Sequence, residues 1–438
     1  MRVSQQFEKL REAHSQSFES ALIERAPIKR SSKLPRVGVL CPISGLGGGE
    51  LGLLETMTHL RGSYEFHLIL PSAGPLKDRA ELAGARVWVL PWPEAIEGTG
   101  ETAKLPSPIR MLRFVAHLKS FAGRLSDLLN EIDPSIFVTN SVKAHVIGAL
   151  ARKRKDMPLV WYLRDGLEER VISRRLLALL SGRCDLAVCV SRYVAAQFRK
   201  YISASVPTNV VHDIVDLSRF YPSALPPADL CKQPDEVWFG IVGAITPLKG
   251  HDIFLDAAES VVRELPNAIF VIVGNNPYVT ESGLRYEEWL RQRVQNSPLR
   301  DRVKFVGFRN DVPGILSQFD VLVQANRGPE GLGRSVLEAM ACGVPVIAVN
   351  KWGPAELIQD GQTGLLFAPL DTEQLVSHML RLGEDESLRK TMGQQGHDWI
   401  QQNLVALELA GKFDRVLASA IASKTANGSP SPLQEATA

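Results

Sequence analysis

Glu330 and Glu338 flank a glycine-bearing loop in the run Pro329-Glu330-Gly331-Leu332-Gly333-Arg334-Ser335-Val336-Leu337-Glu338, with seven residues between them. The run continues through Ala339-Met340-Ala341-Cys342 as a helix that ends at Gly343, and Pro345-Val346-Ile347-Ala348-Val349 reads as a buried strand. A helix start carries unpaired backbone N–H groups and the positive end of the peptide dipoles, which together suit a phosphate. A carboxylate before that start and another inside the helix can each accept hydroxyl hydrogen bonds, one on either side of the phosphate. Sugar hydroxyls on one side and ribose hydroxyls on the other meet that demand, so the pattern points to a nucleotide-sugar. Two carboxylates can also serve as glycosidase acid and base, but such pairs line facing walls of a groove. Placement around a glycine loop and a helix start argues against that use.

Two more turns carry residues suited to the same ligand. Gly243-Ala244-Ile245-Thr246-Pro247-Leu248-Lys249-Gly250-His251 lies between a strand and a helix, where Lys249 can meet phosphates in a cleft. Beside a diphosphate leaving group it would stabilise the charge that grows as a glycosidic bond breaks; a solvated lysine is the alternative. Arg334 at the helix start adds a planar fork of donors. Ser44-Gly45-Leu46-Gly47-Gly48-Gly49-Glu50-Leu51-Gly52 follows the first strand, and Gly47, Gly49 and Gly52 satisfy the dinucleotide spacing. That use also needs an acid at the end of the second strand, and Leu68-Ile69-Leu70-Pro71-Ser72 supplies none. A substrate-cleft loop is favoured, with Gly48 and Gly49 giving close backbone approach, and a purely structural turn stays open.

The elements that must hold these turns alternate along the chain. Apolar strands at Arg36–Cys41, Phe66–Leu70, Val87–Leu90, Ile136–Thr139, Leu159–Leu163 and Leu186–Val190 are interleaved with helices, among them Glu50–Leu60, Ile109–Glu131 and Ala144–Lys153. Tyr221-Pro222 to Glu236 contains four prolines and reads as a connection. The alternation restarts with strands Val237–Val242, Ala268–Val273, Val303–Val306 and Val321–Val323, and helices near His251–Glu264, Val312–Gln318, Leu375–Leu382 and Leu388–Asn403. Continuous apolar strands between helices imply parallel sheets covered on both faces. The expected class is α/β, with two doubly wound Rossmann-like domains facing across a cleft and ligands at the strand C-termini. The expected division is an extension over 1–34, a first domain over 35–222, a linker over 223–236 and a second domain over 237–403. A terminal helix over 404–422 and a disordered tail over 423–438 complete it.

Composition sets outer bounds. A chain of 438 residues, 45% hydrophobic and 22% charged, is long enough for two soluble domains. Its net charge of +2 conceals an asymmetry: residues 1–228 hold 31 Lys and Arg against 22 Asp and Glu, and the remainder 19 against 26. The basic clusters Arg152-Lys153-Arg154-Lys155 and Arg170 to Arg175 read as solvated faces or as attraction to an anionic lipid-linked partner. They lack interleaved aromatics, so nucleic acid is not expected. Helix Ile109–Glu131, with Arg110, Arg113, Lys119 and Arg124, is a candidate for peripheral membrane contact, against a core-facing helix with a wet basic side. Five cysteines without metal-ligand spacing read as buried thiols in a reducing compartment. A polar N-terminus and no membrane-length apolar run make the expected location cytoplasmic, with a peripheral place at the inner face of the membrane as the alternative.

From Arg36 to Asn403 the chain resembles the retaining glycosyltransferases of the GT-B fold, family 4, also called group 1. The resemblance is carried by Gly47-Gly48-Gly49-Glu50, Val190-Ser191, Val215-Asp216 with Phe220, Lys249-Gly250 and Phe305-Val306-Gly307. Glu330 through Val346 is its most specific part, and Gly353-Pro354-Ala355-Glu356 and Gly361-Gln362-Thr363-Gly364 complete it. It implies that Glu338 holds the ribose hydroxyls, Glu330 contacts the transferred sugar and Lys249 grips the diphosphate. Backbone amides of Leu332, Gly333, Arg334 and Ser335 would meet sugar hydroxyls and phosphate. It also implies that the donor phosphate takes the acceptor proton on the front face, retaining configuration. No Asp-x-Asp motif occurs, so neither metal nor cofactor is expected beyond the nucleotide-sugar co-substrate. The expected partners are that donor and a carbohydrate or lipid-linked acceptor, as in bacterial polysaccharide or glycoconjugate synthesis.

Three positions depart from the family pattern. Ala244 stands where an arginine is common, Arg164 roughly where a histidine is common, and His212-Asp213 where Asn-Gly is usual. Arginine holds charge but does not titrate near neutral pH, so Arg164 cannot act as a base. Its neighbour Asp165 can accept a hydroxyl hydrogen bond from acceptor or sugar, or can simply cap a turn. The departures admit a second expectation: a catalytically degenerate protein of the same fold that binds nucleotide-sugar or scaffolds a partner.

Overall fold

A computed structural model describes residues 34–93, 108–168, 170–276 and 281–426. The expected extension, through residue 33, and the tail beyond residue 426 lie outside the described residues.

The first sheet has seven parallel strands in the order β3-β2-β1-β4-β5-β6-β7. They are β1 Arg36–Leu40, β2 Glu65–Leu70, β3 Arg86–Val89, β4 Ile136–Asn140, β5 Leu159–Leu163, β6 Leu186–Cys189 and β7 Thr208–Val210. Its helices are α1 Gly48–Leu60, α2 Pro75–Leu82, α3 Pro108–Ile132, α4 Val142–Ala151, α5 Val171–Leu180 and α6 Arg192–Tyr201. Strands β4 and β5 are buried along their whole length, as helices on both faces require. Ser141 and Ser191 start α4 and α6 by accepting from the amides of Ala144 and Val194.

The second sheet has six parallel strands in the order β10-β9-β8-β11-β12-β13. They are β8 Val237–Val242, β9 Ala268–Val273, β10 Val303–Gly307, β11 Val321–Gln324, β12 Val346–Val349 and β13 Gly364–Phe367. Its helices are α7 His251–Glu264, α8 Glu281–Gln295, α9 Val312–Leu316, α10 Arg334–Ala341, α11 Thr372–Glu384 and α12 Glu386–Asn403. Both sheets reverse strand order between their first and fourth strands, so each has a crevice there at its strand C-termini. The expected doubly wound architecture is present in both halves.

Elements that the sequence pattern did not indicate are α2, α5, α6, β7, α8 and β13. Strand β7 is three residues long and only half-buried, so it lacks an apolar run. A last helix, α13 Ala406–Ala426, extends past the expected end at residue 422, which makes Ser423–Ala426 helical rather than disordered. It returns to the first sheet, where Asp414 accepts from Tyr64 Oη at 2.7 Å and Phe413 meets the Tyr162 ring edge-on. Lys424 pairs there with Asp185 at 2.8 Å. From Arg36 on, the described residues form one compact unit. Four cysteines are buried as expected, but Cys231 is exposed. Among the described residues, no helix is long and apolar enough to cross a membrane.

Candidate active site

The loops after β1, β5, β8 and β11 all come from strand C-termini, and together they bring most of the candidate residues to one place. Lys249 ends a short 3-10 turn after β8, and its Nζ donates to Glu330 Oε2. Asn326, just past β11, donates to the same oxygen at 2.9 Å, and Gln324 holds Asn326 Oδ1 at 2.9 Å. Glu330 is thus fixed by a cation on one side and a supported amide on the other. Leu332 is buried, and Gly333 caps α10, whose first amides, Arg334 and Ser335, have no acceptor one turn back within the helix.

Glu338 lies one turn into α10 and is buried. Burial raises its carboxyl above the usual range, and Arg334 acts against that shift. Arg334 Nε donates to Glu338 Oε1 at 2.7 Å, Nη2 to Glu55 Oε1 at 2.6 Å and Nη1 to the Ile214 carbonyl at 3.3 Å. The fork expected at the phosphate is therefore a buried bridge between α10 and α1 of the other half. Burial also pushes the Glu55 carboxyl up to about 7, with Arg334 only partly offsetting it. The sequence reading did not pick out Glu55. Its signal is a second acid, one turn past Glu50, among the apolar residues of α1.

The glycine loop opens α1 at the same junction. Glu50 accepts from the Gly47 amide at 3.2 Å and closes the first turn. A Cβ on Gly48 would lie 3.5 Å from Arg334 Cδ, and one on Gly49 would lie 3.4 Å from Arg164 Nε. The loop thus touches side chains from both halves. At Gly331 a Cβ would sit 1.8 Å from the Arg164 carbonyl oxygen, so only glycine allows the two chains to pass there.

The departures Arg164 and Asp213 prove to be partners. Arg164 Nη2 meets Asp213 Oδ1 and Oδ2 at 2.6 and 2.5 Å, both side chains being at least nine-tenths buried. The guanidinium also lies 4.9 Å over the Tyr162 ring, and Asp213 raises its proton affinity despite burial. A Cβ on Gly52 would come within 2.5 Å of Arg164 Nη2 and 2.7 Å of Asp213 Oδ1, so α1 can lie against the pair only through a glycine. Arg164 Nη1 and Glu55 Oε2 are buried with no hydrogen-bond partner. Such atoms are where a ligand hydroxyl or water is received. Asp165, next to Arg164, lies at the exposed edge of this group: its charge reaches Glu50, and it is half-exposed and pairs with Arg170 at 3.3 Å.

Other ties hold the halves together around the site. Ser191 Oγ donates to the Gly331 carbonyl at 2.6 Å. Glu356 accepts from the amides of Arg192 and Tyr193 at 2.9 and 2.5 Å, and Trp352 Nε1 donates to Glu168 at 3.3 Å. Among the described residues there is no group of three or more His, Cys, Asp or Glu placed to hold a metal ion.

Comparison with known proteins bears on what this junction is. Residues 46–219 match Glycosyltransferase Family 4, and residues 228–399 match Glycosyl transferases group 1. A GDP-mannose-dependent alpha-(1-6)-phosphatidylinositol monomannoside mannosyltransferase of Mycobacterium tuberculosis is 28% identical over 240 residues. That match covers 52% of this chain and 60% of the mycobacterial protein. A UDP-Gal:alpha-D-GlcNAc-diphosphoundecaprenol alpha-1,3-galactosyltransferase of Escherichia coli is 23% identical over 372 residues, 81% of this chain and 89% of its own. The crystal structure of Anabaena Alr3699/HepE in complex with UDP and glucose superposes with a TM-score of 0.73 at 22% identity. It covers 88% of this chain and 100% of that one, which identifies the fold as GT-B. The chain belongs to the group 1, family 4 glycosyltransferases.

Proposed function

We propose that the protein transfers a sugar from a nucleotide-sugar to a carbohydrate or lipid-linked acceptor, in polysaccharide or glycoconjugate synthesis. The observation that carries this reading is Glu330, held by Lys249 and Asn326 immediately before α10, with buried Glu338 one turn inside it. The two relatives described above are named for nucleotide-sugar donors and for acceptors carried on phosphatidylinositol or diphosphoundecaprenol.

In this reading the diphosphate lies against the first amides of α10 and against Lys249. Both supply positive potential where charge develops as the sugar–phosphate bond lengthens. Glu330 accepts hydroxyls of the transferred sugar, and Glu338 accepts those of the ribose. A buried carboxyl with raised proton affinity suits that task if Arg334 keeps it ionised. Arg164 Nη1 offers a donor to a sugar or acceptor hydroxyl, and Asp213 holds the guanidinium so that its direction is set. Asp165 receives the acceptor hydroxyl. The acceptor proton passes to the donor phosphate on the face that the leaving group vacates, which retains configuration. Charge is balanced by Lys249 and the helix amides, so the reaction proceeds without metal. The inter-half contacts keep water from the donor and so limit its hydrolysis.

Thermal shifts with UDP-, GDP-, ADP- and dTDP-sugars test the donor site on wild type and Glu338→Ala. A ligand at about 100 times its dissociation constant adds about 2.7 kcal/mol of stability. One nucleotide class should raise the midpoint in wild type only. A folded protein that responds to none of them would remove the donor site from this reading. The alternative, a binding protein without turnover, draws on Arg164 standing buried where a titratable group would serve. Transfer or donor hydrolysis that disappears in Glu330→Ala would eliminate it.

A further inference from the structure

Helix α5 faces the wrong way for a soluble protein. Its residues Val171-Ile172-Ser173-Arg174-Arg175-Leu176-Leu177-Ala178-Leu179-Leu180 bury only Leu177 fully. Val171, Ile172, Leu176 and Leu179 are 44, 69, 39 and 81% exposed. The 172, 176 and 179 positions recur at i, i+4 and i+7 and form one outward stripe, with Arg175 exposed beside it. From Arg170 to Arg183 the chain has four arginines and no acid.

The fold adds to this surface from a distant part of the chain. Arg152 Nη1 donates to the Arg183 carbonyl at 2.8 Å, which brings the end of α4 against the end of α5. Lys153 and Lys155 are exposed beside this contact, so the two basic clusters in the sequence adjoin, with Arg152 and Arg154 paired to Asp185, Asp133 and Asp156 and the two lysines exposed. Arg174 is turned away from the stripe, over the Tyr201 ring and against the Glu168 carbonyl.

We infer that α5 is a membrane-docking element that lies in the plane of an anionic lipid surface, its apolar stripe among the acyl chains and its cations at the headgroups. A ten-residue helix is about 15 Å long, half the hydrocarbon thickness, so it rests on a bilayer and does not cross it. Apolar side chains bordered by arginine and lysine are the chemistry that such an interface selects; α5 itself carries no acid, and the nearby Asp133 and Asp156 are paired with Arg154. Arg170, which leads into α5, pairs with Asp165 at the mouth of the site. A docked α5 therefore sets that mouth beside the headgroups, where an acceptor can keep its lipid tail in the bilayer. This last step rests on the transferase reading; the docking does not.

The test is flotation of the whole protein with vesicles of phosphatidylglycerol and phosphatidylcholine, or of phosphatidylcholine alone. Wild type should float with the anionic vesicles and release as salt is raised. Ile172→Ser/Leu176→Ser/Leu179→Ser should lose at least tenfold in vesicle affinity, and Arg175→Glu a smaller factor, both keeping the wild-type thermal shift with nucleotide-sugar. No flotation with anionic vesicles, or a triple variant that binds as wild type does, would overturn the inference. So would wild-type dimers that the triple variant converts to monomers without change in vesicle binding, since a second copy would then be the occupant. Flotation in a protein that shows no nucleotide-sugar response would leave docking standing and remove only the proposed transfer.

Discussion

The two sides of the junction handle charge differently. In the C-terminal half, Glu330 is partly accessible, and its partners Lys249 and Asn326 come from neighbouring loops of the same sheet. In the N-terminal half, Arg164 and Asp213 are sealed between α1 and β5 and neutralise one another. The first arrangement leaves carboxylate and amide groups for a ligand that brings its own negative charge. The second spends its charges on fixing one guanidinium. A site built this way keeps its ionic adaptability on the side proposed for the donor and its rigidity on the other.

Asp213→Ala gives the largest effect that would break this contrast. It strands a buried guanidinium, and removing one partner of such a pair costs about 3–5 kcal/mol. Denaturant unfolding should show that loss, with most of it recovered in Arg164→Met/Asp213→Leu. A loss below about 1 kcal/mol would mean that the pair is not sealed. Glu330→Ala should do the reverse, lowering transfer about a hundred- to a thousand-fold with little change in unfolding midpoint.

Glu55→Gln sharpens the contrast at the Arg334 bridge. The folded carboxyl titrates near 7, above its ordinary value of 4.5, so its contribution to stability is complete below about pH 4.5 and is lost as pH rises through 7. Relative to wild type, Glu55→Gln should gain stability across that window, by up to about 3 kcal/mol. A difference that stays flat with pH would show Glu55 to be ionised throughout. Gly52→Ala is the mildest probe. Its methyl would intrude on the Arg164–Asp213 pair at a cost of about 1–3 kcal/mol, read as a lowered midpoint without loss of donor response.

What was legible in the sequence follows the same division. Glu330, Glu338 and Lys249 sit at strand-to-helix turns, so local pattern alone placed them at a strand C-terminus. Arg164 and Asp213 each stood out as a departure, but 49 residues separate them, and only the order β4-β5-β6-β7 makes them neighbours. Arg334 reads from local sequence as a phosphate contact because its partner Glu55 lies 279 residues away. Helix α5 reads in sequence as the basic cluster Arg170 to Arg175, and although its apolar residues recur at helical spacing, sequence alone does not say that their face is turned outward.

Helix α13 carries a consequence for how the chain is made. Phe413, Asp414 and Lys424 complete packing around Tyr162, Tyr64 and Asp185, all in the half synthesised first. As the ribosome delivers the chain, that half waits with an open face until the entire second half has emerged, and chaperones have that interval in which to act. The half that begins first is the half that finishes last.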